Sequence, residues 1–166
     1  MGLSNCLRVV HRKFLEVFKR RAPVGSEAAK EYSDFTRFIF EKRHFSVNPQ
    51  KARPGAFLPD SDLKTSAVGK NGFTEEQLWN FGVLIGQERN KSPKARADFD
   101  AQVVAEAKLT IENDPQPSIP SHINLGGWPT EKDEQKNIAV FLCAKAKLLL
   151  RTMSTSAPLE TGNQQG

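Results

Sequence analysis

The chain has little cysteine, little tyrosine and no long apolar run. Only Cys6 and Cys143 occur among its 166 residues. They fall in different segments and make no CxxC pair, so a secreted disulfide framework is not expected. Both read as small apolar side chains. The longest apolar stretch, Ile138 to Leu150, is broken by Lys145 and Lys147. A membrane-crossing helix needs about 20 apolar residues, so none is expected. The start carries basic residues but no continuous apolar run and no small-residue cleavage site, which makes a poor secretory signal. A cytoplasmic protein is the expectation.

Several chemical signatures are missing as well. There is no GxSxG, no P-loop and no GxGxxG. His11, His44 and His122 lie in three separate segments without HxxxH spacing, so no metal site and no cofactor is expected. Met1-Gly2-Leu3-Ser4-Asn5-Cys6 touches the myristoylation pattern, but Cys6 stands where Ser or Thr belongs. Acylation of Gly2 or Cys6 would add a lipid to the basic segment behind it. An unmodified start is the expectation. The acid-poor, amphipathic N-terminus also shares features with a mitochondrial presequence. Its regular apolar face argues instead for packing on the body.

What is present suits one domain. Apolar residues make up 38% and charged residues 26%, enough for a single core. Eleven Phe against two Trp and one Tyr predict a core built around phenylalanine, which buries area without needing a hydrogen-bond partner. Net charge is +5, and residues 1–21 alone hold six basic groups and one acid. The remainder is balanced. A body that gripped nucleic acid along a broad basic face would more often carry the excess itself.

Periodicity predicts a fold of α+β class: a single small domain with an N-terminal helical hairpin, a few short strands and a long C-terminal core helix. Its parts are a basic amphipathic helix over 1–22, a globular body over 23–152 and a disordered tail over 153–166. Leu7, Val10, Phe14, Val17 and Phe18 recur at helical spacing, with Arg8, Arg12, Lys13, Lys19 and Arg20 on the other side. The turn at Ala22-Pro23-Val24-Gly25 ends that helix. A second helix is expected over about 26–43, with Tyr32, Phe35 and Ile39 on one face. Residues 46–64, rich in proline, read as an irregular loop.

Short strands are expected at 65–68, 95–99, 109–111 and 122–125. Residues 101–107 fit helix or strand equally. Thr74-Glu75-Glu76-Gln77 is a capping-box pattern opening a helix to about Gly86. Leu78, Phe81 and Ile85 face inward there, and Gly82 on the same face suggests close approach of another backbone. The last helix is expected over about 131–151, with Thr130 as N-cap and Ile138, Phe141, Leu142, Leu148 and Leu149 inward.

Four features could carry chemistry. His122-Ile123-Asn124-Leu125-Gly126-Gly127-Trp128-Pro129-Thr130 leads into a helix start, where free amides attract anions. Gly126, Gly127, Trp128 and Thr130 are the candidate ligand contacts, with His122 as acid or base. The plain alternative is a tight strand-to-helix turn with Trp128 in the core. Lys145 sits within the apolar stripe, as a nucleophile of lowered pKa or as a stem lying on apolar surface. Arg96 and Asp98 share a strand face, where a solvated pair is expected. The loop Lys51-Ala52-Arg53-Pro54-Gly55-Ala56-Phe57, with two cations and an aromatic, could clamp a ligand or be plain surface.

The function these features favour is a small non-catalytic binding or accessory protein. It would meet an acidic partner, protein or nucleic acid, through Arg8, Arg12, Lys13, Lys19 and Arg20. The alternative is a transferase or hydrolase acting on a phosphate-bearing ligand at the 122–130 turn, with His122, Arg96, Asp98 and Lys145 as its chemical groups. A cleft uniting His122, Arg96, Asp98 and Arg53 would favour the enzyme.

Overall fold

The computed structural model describes residues 32–151. The 1–22 helix and the 153–166 tail therefore lie outside the described residues, as do Gly2, Cys6, Arg8, Arg12, Lys13, Lys19 and Arg20. Six antiparallel strands make one sheet in the order β6-β7-β4-β1-β5-β8. In chain order the first three of these are β1 (Asp34–Ile39), β4 (Thr65–Gly69) and β5 (Ala95–Asp100). They are followed by β6 (Thr110–Asn113), β7 (His122–Gly126) and β8 (Lys147–Leu150). Phe45–Ser46 and Lys51–Ala52 pair separately as the short hairpin β2–β3. Three α-helices complete the described residues: α1 (Glu75–Glu88), α2 (Ala101–Glu106) and α3 (Lys132–Lys145).

This corrects the expected architecture. Among the described residues there is no helical hairpin, and Asp34–Ile39 is strand rather than part of a helix over 26–43. The strand is central, hydrogen-bonded on one side to β4 and on the other to β5. Both of its faces are covered, so apolar residues appear on each, and the period of two that marks a half-exposed strand is lost. Tyr32, Phe35 and Ile39 then imitate helical spacing.

The last helix is also shorter than expected. Ala146 is extended, with φ −75° and ψ 142°, and residues 147–150 pair with β5. Leucine favours helix locally, but here the free edge of β5 decides the state. Glu131, not Thr130, is the N-cap. The proline-rich 46–64 segment is more ordered than expected, holding most of the β2–β3 hairpin and a 3-10 turn at Pro54–Ala56.

Two cores flank the sheet. One face gathers Phe35, Ile39, Ala67, Ala97, Phe99, Ile123 and Leu125 under α2, α3 and the turn around Phe57. The other carries Phe38 and Val68 under Leu78 and Phe81 of α1. The Thr74 capping box forms as the sequence predicts, with Gln77 N–H donating to Thr74 Oγ1 and Thr74 N–H donating to Gln77 Oε1. Gly82 does mark a close approach, although by a side chain: an added Cβ would stand 2.6 Å from Cδ1 of the buried Phe38 ring. No described helix is long and apolar enough to cross a membrane.

Candidate functional site

The strand register places the residues singled out by sequence. His122 lies opposite Val68, Val68 opposite Thr36, and Thr36 opposite Asp98. Directly paired residues share a face, so His122 and Asp98 lie on one side of the sheet, but three strands apart. At about 4.8 Å per strand that is roughly 14 Å. Arg53 stands before the Pro54–Ala56 turn, which packs with α3 on the opposite face. The four groups therefore do not share a cleft.

Each is accounted for locally. His122 is buried, with Nδ1 3.0 Å from the Asp114 carbonyl and 3.2 Å from its carboxylate. Asn124 Nδ2 donates to the same carboxylate at 2.9 Å. Trp128 lies in the core, its Nε1 donating to the Leu125 carbonyl at 3.1 Å, and so presents no stacking surface. Gly127 takes a positive φ of 75°, which the turn requires. Thr130 is exposed. Beside this turn lies an open cavity of about 490 Å³. Glu106 and Glu134 face it against a single cation, Lys108, which disfavours an anionic ligand. Lys145 is exposed, its ammonium 5.8 Å from the Phe141 ring centre, as expected for a stem lying on apolar surface.

Arg96 and Asp98 differ from the expected solvated pair. Arg96 is 1% exposed. Its Nη2 donates to Glu75 Oε1 at 2.6 Å and to Asp98 Oδ2 at 3.3 Å, while Trp79 stacks 5.3 Å away. Asp98 also accepts from Thr36 Oγ1 at 2.7 Å and Lys70 Nζ at 2.5 Å. The reason is position: β5 is an inner strand, and Trp79 and Glu75 of α1 close over Arg96. The network sets two acids, Glu75 and Asp98, against two bases, Arg96 and Lys70, and ties β5 to β1, to the segment before α1 and to α1 itself.

A different site emerges at the other end of the sheet. β1 and β4 pair at Phe35–Gly69 and Thr36–Val68, and then separate. β1 continues with β5 to Ile39, and β4 continues with β7 to Thr65. The sheet thus forks at its centre. Arg37 spans the fork: its Nε donates to the Ala56 carbonyl at 2.9 Å and its Nη1 to the Ser66 carbonyl at 2.5 Å. A crevice of about 310 Å³ opens there, bounded by the C-terminal part of β1, residues 66–68, the 55–60 turn and the last turn of α1.

The crevice is basic. Arg37, Arg43, His44, Arg89 and Lys91 line it, against Glu41 and Asp60. Glu41 is engaged by Lys91 Nζ at 2.5 Å, which holds its carboxyl below the usual range. Among the described residues, Arg37, Arg43 and Arg89 have no carboxylate in salt-bridge contact. Burial lowers Arg37 to about 10, with Asp60 opposing the shift and Arg89 adding to it, so it stays cationic at neutral pH. His44 is pulled below the ordinary histidine value, first by burial and then by Arg43. Its ring lies against Gly55, where an added Cβ would be 3.0 Å from Cδ2.

Sequence reasoning did not single out Arg37, Arg43, Arg89 or Lys91. They come from two segments about 50 residues apart that meet only in the folded sheet. The local hint was the charged run Glu41-Lys42-Arg43-His44 directly after an aromatic segment. Among the described residues no three His, Cys, Asp or Glu side chains gather as a metal site would need. Neither a protein-family model, nor a curated protein, nor a solved structure matches this chain.

Proposed function

We propose that this protein is a non-catalytic binding or accessory protein that receives an acidic, phosphate-bearing partner at the basic end of its sheet. The observation that supports this is the convergence on one crevice of Arg37, Arg43 and Arg89, none of which has a carboxylate in salt-bridge contact among the described residues. Like charges held together repel, and a partner's anionic groups relieve that repulsion. Arginine rather than lysine dominates the site, and its planar fork matches phosphate oxygens in pairs. Lys42, Lys94 and Arg151 belong to the same end of the sheet, since Lys94 N–H bonds Ile39 O and Arg151 N–H bonds Lys94 O. The sequence-derived contacts Arg8, Arg12, Lys13, Lys19 and Arg20 lie outside the described residues and remain part of the proposed basic character of the chain.

A catalytic role for the 122–130 turn has less behind it, because His122 is turned to Asp114 and Trp128 is in the core. The binding reading is tested by fluorescence anisotropy with a labelled single-stranded oligonucleotide across a salt series, with polyglutamate of equal charge as competitor. Binding should fall linearly on a log–log salt plot, with a slope set by the phosphates neutralised. Polyglutamate should compete poorly. Affinity that ignores salt, or full competition by polyglutamate, would overturn this reading.

A further inference from the structure

We infer that the fork between β1 and β4 is a pocket for a terminal phosphate monoester, so that the partner is recognised by a phosphorylated end. This rests on the reading just given and narrows it to one group at one place. Three features carry it.

The first is charge count. A phosphate monoester carries about −1.5 to −2 at neutral pH, whereas an internal diester carries one negative charge. Arg37, Arg43, Arg89 and Lys91 against Glu41 and Asp60 leave two positive charges among the described residues of the crevice, more than a single diester would balance. The second is preorganisation. A guanidinium has five N–H donors. Arg37 commits Nε and Nη1 to main-chain carbonyls, which fixes its plane, and its remaining N–H groups have no partner among the described residues. A donor fixed in this way loses little freedom when an anion arrives. The third is shape. The crevice is a notch where β1 and β4 part, walled by the 55–60 turn, residues 66–68 and the last turn of α1. Its volume of about 310 Å³ is at the small end of ligand pockets, enough for a phosphate and a sugar. A continuous strand would have to enter and leave such a notch, whereas an end only enters.

The same group could come from a free sugar phosphate or from the end of an oligonucleotide. The full chain is titrated calorimetrically with ribose 5-phosphate and with ribose. In parallel, a short single-stranded oligonucleotide is compared with and without a 5′-phosphate at fixed salt. The informative variant is Arg43→Ala with Arg89→Ala, since both side chains are exposed and form no hydrogen bond in the described structure. Thermal melting establishes that it folds. Ribose 5-phosphate should bind and ribose should not. The 5′-phosphate should improve oligonucleotide affinity by about tenfold or more, equivalent to 1.4 kcal/mol. The double variant should erase that preference without lowering the melting temperature.

If both oligonucleotides bind equally and ribose 5-phosphate gives no heat, the phosphate pocket is refuted while the acidic-partner reading stands. If ribose 5-phosphate binds in a variant-sensitive way and neither oligonucleotide does, the pocket stands and the partner is the small molecule. A phosphate preference that survives in the double variant places the anion elsewhere and overturns the inference.

Discussion

Asp98→Ala removes the carboxylate that joins three elements. In the folded protein it accepts from Thr36 of β1, pairs with Lys70 before α1 and pairs with Arg96 on its own strand. Its side chain is 11% exposed and that of Arg96 is 1% exposed. Deleting one partner of a buried pair costs about 3–5 kcal/mol, because the other charge stays desolvated. Arg96 keeps Glu75, but that carboxylate is 68% exposed and replaces little of the loss. The expected destabilisation is therefore about 3–4 kcal/mol by urea denaturation, or roughly 10–20 °C in Tm for a domain of this size. Adding Arg96→Met should recover a large part of it, since the orphaned charge is gone. A single-variant loss below about 1 kcal/mol would refute the reasoning and return the pair to an ordinary solvated one.

Two further outcomes follow from burial and charge. Leu142 is fully buried whereas Phe141 is only partly so, contrary to the equal burial expected from the apolar stripe. Leu142→Ala should cost about 2–5 kcal/mol in a denaturant titration, and Phe141→Ala clearly less. His44 should titrate by NMR below its unfolded-state value, because burial and Arg43 disfavour its cation. The unfolded chain then binds more protons across that interval, so this group's contribution to stability is present above the unfolded pKa and lost as pH falls through the folded one. Phosphate in the fork should raise the His44 midpoint. A midpoint at or above the unfolded value would contradict the described surroundings of the ring.

How much of this was legible depends on what fixes each element. The Thr74–Gln77 cap was readable because four adjacent residues supply both of its hydrogen bonds. The strands at 65–69, 95–100 and 122–126 were readable because turn residues punctuate them. β1 and β8 were misread because their neighbours determine their state. Phe35 and Ile39 would suit a helix, and Leu148–Leu150 would extend one, until β5 is present between them. The burial of Arg96 depends on Trp79 folding over it, which no local pattern announces. The fork was invisible for a related reason: it is a place where two strands cease to pair, and Arg37 is conspicuous only once Ser66 and Ala56 stand beside it.

The fork also divides the sheet in a way that bears on synthesis. On one side, β4, β6 and β7 come from residues 65–126, with β6 and β7 adjacent in the chain. On the other, β1, β5 and β8 come from the beginning, middle and end of the described chain. The first trio can assemble while later residues are still being translated. The second cannot close until residue 150 has left the ribosome, and until then the backbone edge of β5 lies open to any strand that reaches it. Until residues 147–150 are made, five of the six strands can pair and the sixth place stays empty, and a chain stopped before Lys147 would keep that open edge for its lifetime.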